Sequence, residues 1–224
     1  MAGFNLPMIL LDPNEIAFPD PRLINSESGI MAVGGDLSPE RLYFAYQLGL
    51  FPWYNPGEEI LWWCPDPRFV LFPKEIRISK SMRKILRDGN FIFTENRCFR
   101  QVMTECKNTY RKDQDGTWLS DEMIDSFVVL HRHGFAKSFE AWQDGQLVGG
   151  FYGVQTGRVF CGESMFSKVS NASKAAFINF IQNEKENLDL IDCQIHSAHL
   201  ESLGAKMISK AEYLQILNNS NNES

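Results

Sequence analysis

The sequence predicts an α+β protein with a mixed, mostly antiparallel sheet. Three observations carry that expectation. Residues 136–142 alternate as a strand does, and Asp144-Gly145 and Thr156-Gly157 break the stretch 136–161 into hairpin-linked strands. A helix-length stretch opens at Asn171, and an apolar run, Leu190-Ile191-Asp192-Cys193-Gln194, comes after it. Ahead of these, residues 1–64 are rich in Pro, Gly and aromatics and hold one helical pattern. Residues 1–64 are expected to form a small N-terminal domain, residues 65–218 a larger C-terminal domain, and residues 219–224 a disordered polar tail.

The elements follow from local signals. Phe18-Pro19-Asp20-Pro21 and Gly29 to Gly35 read as turns between short strands. Ser38 can cap a helix, Pro39 suits its first position, and Glu40 meets the positive end of its dipole. That helix is expected to stop at Gly49 and to bury Leu42, Ala45, Tyr46 and Leu50. A strand over 69–72 ends at Pro73, and residues 76–78 read as a strand edge. A basic helix over 79–87, a strand over 91–94, a helix over 98–106 and a charged loop over 108–116 come next. Ser120 caps a helix closed by Gly134, with Met123, Phe127 and Leu130 as its buried stripe. Strands over 136–142, 147–154 and 158–161 form the meander. A helix over 171–186, a strand over 191–195, a short helix over 199–203, a strand over 206–209 and a helix over 211–217 complete the chain. This order is the one found in the acetyltransferase (GNAT-like) fold, an analogy that suggests a transferase without establishing one.

Bulk properties narrow the setting. With 44% hydrophobic and 22% charged residues, the chain has the composition of a globular domain. No apolar run approaches the length of a membrane span, and no basic region precedes an apolar core at the start, so a cytoplasmic protein that makes no membrane contact is expected. The five cysteines are scattered and form no C-x-x-C pair, which points away from a structural zinc site or a disulfide framework. His196 and His199 have a metal-compatible spacing but no third ligand, so no metal is expected. The net charge is −6, yet residues 77–112 hold ten bases against three acids, +7, leaving −13 elsewhere. Such an island fits either an anionic partner such as a phosphate backbone or a solvated helix face.

The stretch from Val159 to Gln194 carries the chemistry. Glu163 stands in one apolar run, and Asp192 and Gln194 in another. Period-two alternation predicts that Asp192 and Gln194 point the same way. Three polar groups in apolar strands are either a structural hydrogen-bond network or a reaction site. Residues 51–68, dense in Trp and Pro, could hold aromatic faces rigidly for base stacking or plug the space between two sub-domains. The chain has no G-x-x-x-x-G-K-S/T phosphate loop, no G-x-G-x-x-G and no nucleophile elbow around Ser164. Nor does the helix start after the meander carry the loop expected for the pyrophosphate of coenzyme A. An acetyltransferase-like plan without it requires another acyl donor.

Several motifs together resemble one family. Ala32-Val-Gly-Gly-Asp-Leu-Ser38, Gly49-Leu-Phe-Pro-Trp53, Leu61-Trp-Trp-Cys-Pro-Asp-Pro-Arg68, Gly116-Thr-Trp118 and Leu147-Val-Gly-Gly150 are similar to leucyl/phenylalanyl-tRNA–protein transferases. So are Cys161-Gly-Glu-Ser-Met-Phe-Ser167, Asn171-Ala-Ser-Lys174, Ile191-Asp-Cys-Gln194 and Ser202-Leu-Gly-Ala205. The resemblance spans roughly residues 15–215. It implies transfer of Leu or Phe (Met less well) from aminoacyl-tRNA to the N-terminal Arg or Lys of proteins or peptides, marking them for degradation by the N-end rule. It also implies no cofactor and no metal, and a monomer is expected. Carried over residue by residue, it makes Glu163, Asp192 and Gln194 the catalytic group. Asp192 and Gln194 would relay the proton of the attacking amine, and Glu163 would orient the aminoacyl moiety. Trp53 and Trp118 would flank the terminal adenosine. Phe151, Phe160, Met165, Phe177, Phe180 and Ile191 would form the side-chain pocket. Lys80, Arg83, Lys84 and Arg87 would hold the tRNA body.

Overall fold

The computed structural model describes residues 9–24, 26–109 and 119–222. A small sheet comes first along the chain: β1 (Leu10–Leu11), β2 (Ile30–Gly34), β3 (Phe51–Pro52) and β4 (Leu61–Trp63), in the order β1-β2-β4-β3. Helix α1 (Pro39–Gln47) sits between β2 and β3 in sequence. The Ser38 hydroxyl accepts the Arg41 amide, Pro39 fills the first turn, and Gly49 leaves the helix at φ +80°. The expected stripe of Leu42, Ala45, Tyr46 and Leu50 is buried.

The larger sheet holds β5 (Arg68–Leu71), β6 (Ile92–Glu95), β7 (Ala136–Gln143), β8 (Gln146–Thr156), β9 (Val159–Ser167), β10 (Leu190–Gln194) and β11 (Lys206–Ile208). Their spatial order is β11-β5-β10-β9-β8-β7-β6. Every neighbouring pair is antiparallel except β9 and β10, which run parallel. The expected mixed, mostly antiparallel sheet is therefore present. The remaining helices are α2 (Lys80–Arg87), α3 (Phe99–Asn108), α4 (Asp121–Arg132), α5 (Ala172–Glu184), α6 (Ala198–Glu201) and α7 (Lys210–Asn222). None is long and apolar enough to cross a membrane.

Period-two alternation sorts the strand residues into two cores. Val70, Tyr152, Val159 and Leu190 join the core built with α1, α3, α4 and α7. Phe69, Leu71, Phe151, Phe160 and Ile191 join the core built with α5 and the inner side of α2. Trp62 and Met31 of the small sheet belong to the first core. The N-terminal residues thus pack into the larger sheet's own interior, and Trp62 serves as the aromatic plug that was one of its two readings.

Three local expectations differ from the structure. Strand β9 continues past Cys161 to Ser167, because Met165 and Phe166 keep pairing with Phe151 and Gly150. Residues 76–78 belong to neither sheet; Arg77 instead donates its amide to the Leu203 carbonyl. The tail expected to be disordered is helical through Asn222. Ser220 is buried and accepts the Arg158 amide, while Asn221 bonds the Thr156 hydroxyl and the Gln47 carbonyl. A polar composition hid this docking because the polar groups are themselves the contact.

One glycine fixes how closely helix and sheet approach. A Cβ at Gly149 on β8 would lie 2.6 Å from the Ala172 Cβ and 2.8 Å from the Ser173 amide nitrogen. Gly149→Ala should therefore lower stability by about 1–3 kcal/mol through overpacking. Urea unfolding measures this, and an unchanged midpoint would mean that α5 can slide outward freely.

Candidate active site

Glu163 occupies the place where β9 carries one residue too many. Tyr152 pairs with Ser164 and Gly153 with Gly162, so Glu163 lies in a bulge without a partner on β8. Bulges re-aim a side chain out of the sheet's alternation. Across the parallel pair, β10 has its own irregularity: Asp192 pairs with Val70 and Gln194 with Phe69, leaving Cys193 extra. Gln194 takes φ +65°, a conformation uncommon for a side-chain-bearing residue outside tight turns. The expectation that Asp192 and Gln194 point the same way is thereby corrected. Asp192 turns toward β5 and α7, whereas Gln194 turns toward β9.

Each polar group then has a definite partner. Arg68 Nε donates to Asp192 Oδ1 at 2.8 Å, and Arg68 Nη2 donates to Oδ2 at 2.6 Å. The Tyr213 hydroxyl donates to Oδ2 at 3.0 Å, and the Gln194 amide to Oδ1 at 2.9 Å. A carboxylate has about four lone-pair sites, and all are taken. The Arg68 guanidinium lies between the Phe51 ring at 4.7 Å and the Tyr213 ring at 4.5 Å. Both charged side chains are essentially inaccessible, at 1% and 0% exposure. Burial, the largest single influence, pulls the Arg68 guanidinium down, but the Asp192 charge and hydrogen bonds, together with Tyr213, outweigh it and raise its pKa well above the usual value.

Glu163 is held differently. Gln194 Nε2 donates to its Oε1 at 2.7 Å, and no cation pairs with it among the described residues. It keeps some solvent access through the cleft but is otherwise enclosed by protein. That burial pushes its carboxyl up to about 7. The buried Tyr46 phenol first and Gln194 second pull the other way, though the phenol falls short of full hydrogen-bond geometry. Cys161 and Cys193 are nearby, but burial pushes both thiols up, so neither supplies a thiolate at neutral pH.

Above this group a cleft of about 400 Å³ opens between β3 of the small sheet and the β9–β10 pair. Phe151, Met165, Phe177 and Ile191 line it, together with Trp53, Glu163 and Gln194. Phe160 and Phe180 stand behind that wall. Phe160 lies 6.1 Å from Phe151, nearly perpendicular to it, and 4.8 Å from Phe180. They shape the lining rings without forming the surface. Trp53 is tilted against Trp63 at 5.5 Å, and its carbonyl accepts the Trp63 indole N–H at 2.6 Å. Trp118 lies outside the described residues. Lys80, Arg83, Lys84 and Arg87 are all exposed on α2, and none has an ion-pair partner among the described residues. Their spacing puts them along one side of the helix, with Met82 buried opposite. Among the described residues, no group of three His, Cys, Asp or Glu side chains is placed to hold a metal.

Residues 70–218 match the family described as leucyl/phenylalanyl-tRNA protein transferase, and residues 35–66 match its N-terminal domain. The chain belongs to that family. A leucyl/phenylalanyl-tRNA--protein transferase of Flavobacterium johnsoniae is 57% identical over 192 residues, 85% of this chain and 91% of the relative. One of Christiangramia forsetii is 50% identical over 213 residues, 94% of this chain and 100% of the relative. Among solved structures, a GCN5-related N-acetyltransferase-like protein from Streptococcus suis aligns with a TM-score of 0.37 and 14% identity. It covers 65% of this chain and 58% of that one, and the likeness is slight.

Membership in a leucyl/phenylalanyl-tRNA–protein transferase family makes the chain a transferase, and gives Arg68 added interest. Arg68 falls between the family's two matched segments, at the start of β5. Sequence reasoning did not single it out. The signal was available: one arginine opens an apolar strand, one aspartate sits inside another, and two lone opposite charges in buried strands call for each other.

Proposed function

We propose that the protein moves a leucyl or phenylalanyl group, and methionyl less well, from aminoacyl-tRNA to the N-terminal Arg or Lys of acceptor proteins. The product would carry a destabilising N-terminus that the N-end rule reads for degradation. The observation that carries this reading is Glu163, a carboxyl near neutrality at the floor of a cleft walled by Phe151, Met165, Phe177 and Ile191. An aminoacyl ester is already activated, so neither ATP nor a covalent intermediate is required. The task is to orient an amine, remove its proton and hold the ester beside it.

The proton acceptor in this proposal is Glu163. A relay from the amine through Gln194 to Asp192 would end on a carboxylate whose lone pairs are filled by Arg68, Tyr213 and the Gln194 amide. Asp192 instead positions Gln194, and Gln194 fixes the Glu163 carboxyl. An α-ammonium group ordinarily titrates near 7.7–8.0, so a base near 7 is matched to it. Glu163 takes the proton and the freed amine attacks the ester carbonyl. Glu163 gives that first proton to solvent, takes the second proton of the attacking nitrogen as the C–N bond forms, and delivers it to the ribose oxygen as the C–O bond to the terminal ribose breaks. Ionised Glu163 also favours an acceptor beginning with a cationic side chain. Apolar walls with no polar group aimed at the side chain would admit both Leu and Phe, since one methylene is worth only about 1–3 kcal/mol.

The test is transfer of labelled Phe from Phe-tRNA to a peptide beginning with Arg or Lys, without ATP or coenzyme A. RNA binding without transfer would reduce the protein to a tRNA-binding module, and transfer only from acetyl-coenzyme A would make it an acetyltransferase. The α2 face supplies a separate prediction. Lys84→Ala with Arg87→Ala should make the plot of log K against log salt for tRNA binding shallower by about 1–2 units, the share of two phosphate contacts. An unchanged slope would leave that face merely solvated.

A further inference from the structure

Lys174 is a cation in an unfavourable place. It stands in the first turn of α5, where the helix field disfavours positive charge. It is half-buried, and among the described residues it has no ion-pair partner, whereas Lys168 just before the helix is paired with Glu105. Its backbone amide is one of the first four of α5, which have no acceptor within the helix. The neighbouring amides are taken: Ala172 by the Val169 carbonyl, Ser173 by the Ser167 hydroxyl and Ala175 by the Asn171 carbonyl. The Asn171 side chain does not cap the helix.

The position of this unpaired cation is specific. One turn further along α5, on the same helix face, Phe177 lines the cleft. Lys174 also acts on His199 of α6, another residue of the cleft wall. Burial first, and the Lys174 charge second, lower the His199 pKa, so that imidazole is neutral at pH 7. Its Nε2 is buried, with no hydrogen-bond partner among the described residues. Helix α5 additionally packs against α2, whose outer face carries Lys80, Arg83, Lys84 and Arg87. Lys174 therefore sits on a helix that joins the basic face to the apolar hollow.

We propose that Lys174 is a positioning residue for the donor, holding a phosphodiester of the RNA 3′ end where it turns from α2 into the cleft. The inference rests on the proposed aminoacyl-tRNA donor. A phosphate there would receive the Lys174 ammonium and amide, which balances a charge that the helix field otherwise opposes. It would also set the distance between the terminal ribose and Glu163.

The experiment compares wild type, Lys174→Ala and Lys174→Arg with two donors, Phe-tRNA and phenylalanyl-adenosine, which has no phosphate. With Phe-tRNA, Lys174→Ala should raise KM about tenfold with little change in kcat, the effect of losing one charge-assisted contact. The salt slope of tRNA binding should become shallower by about 0.7, one single-strand phosphate. Lys174→Arg should restore most of both. With phenylalanyl-adenosine, the variant-to-wild-type ratio should return to near one. Equal losses on both donors, or an unchanged salt slope, would overturn the phosphate contact in favour of a purely structural lysine. Wild-type protein unable to use either donor would overturn the proposed function itself, and this inference with it. An α2 double variant that flattens the slope while Lys174→Ala does not would sink only this inference.

Discussion

Arg68→Met should cost the fold about 3–5 kcal/mol, the penalty for stranding one charge of a buried pair. The reason lies in what the substitution leaves behind. Asp192 is fully buried, and Arg68 supplies two of the four hydrogen bonds it accepts. Tyr213 and the Gln194 amide remain, but neither brings a compensating charge. Removing both partners is a different case. Arg68→Met combined with Asp192→Leu replaces the pair by apolar groups among Phe51, Tyr213 and the first core, and should recover most of the lost stability. Urea unfolding of the four proteins gives the cycle. Activity should not recover in the double variant, because Gln194 has lost the carboxylate that holds its amide and its left-handed backbone. A single variant as stable as wild type would show that Asp192 is not committed to Arg68. A double variant with full activity would remove Asp192 from any positioning role.

That pair also marks where the sequence could and could not be read. Hairpin glycines, the Ser38 and Ser120 caps and the apolar alternation are local signals, and the elements they predict are present. The basic face of α2 was legible for the same reason: a helical spacing of four bases needs no tertiary knowledge. The two bulges were not. Period two made Asp192 and Gln194 neighbours on one face, whereas an extra residue in each strand separates them and turns Gln194 onto Glu163. Bulges depend on which strand lies opposite, and the β5–β10 and β9–β10 pairings join residues remote in sequence. The same distance hid Tyr213 and Phe51, each an ordinary core aromatic until Arg68 is placed between them. The aromatic residues divide similarly. The family resemblance marks Phe160 and Phe180 as well as Phe151 and Phe177, but only packing tells which rings meet the cleft and which stand behind them.

Glu163→Gln should lower kcat by about 10²–10⁴-fold, the usual worth of a positioned general base, while leaving tRNA binding close to wild type. The replacement is nearly isosteric, and its amide oxygen can still accept from Gln194 Nε2, so the loss should be chemical. The pH dependence separates this from simple damage. With Glu163 at about 7, the wild-type rate should climb as pH rises through 7 and then level off; in the Gln variant that limb should vanish. Stability moves in the opposite sense. A folded pKa of about 7 above the ordinary carboxyl value means that the native state binds the extra proton. The stabilisation is fully present below about 4.5, and is lost as pH rises through 7. After allowance for the residual solvent access, the wild type should lose roughly 2–3 kcal/mol across that window. Glu163→Gln should lack this slope and be the more stable protein at pH 8. The same residue would then limit the fold and drive the reaction, since the enclosure that makes ionised Glu163 costly is what brings its pKa near that of the amine. A variant with an intact acidic limb would transfer the base role to another group. A variant with wild-type stability slopes would mean that Glu163 ionises as freely in the fold as in the unfolded chain.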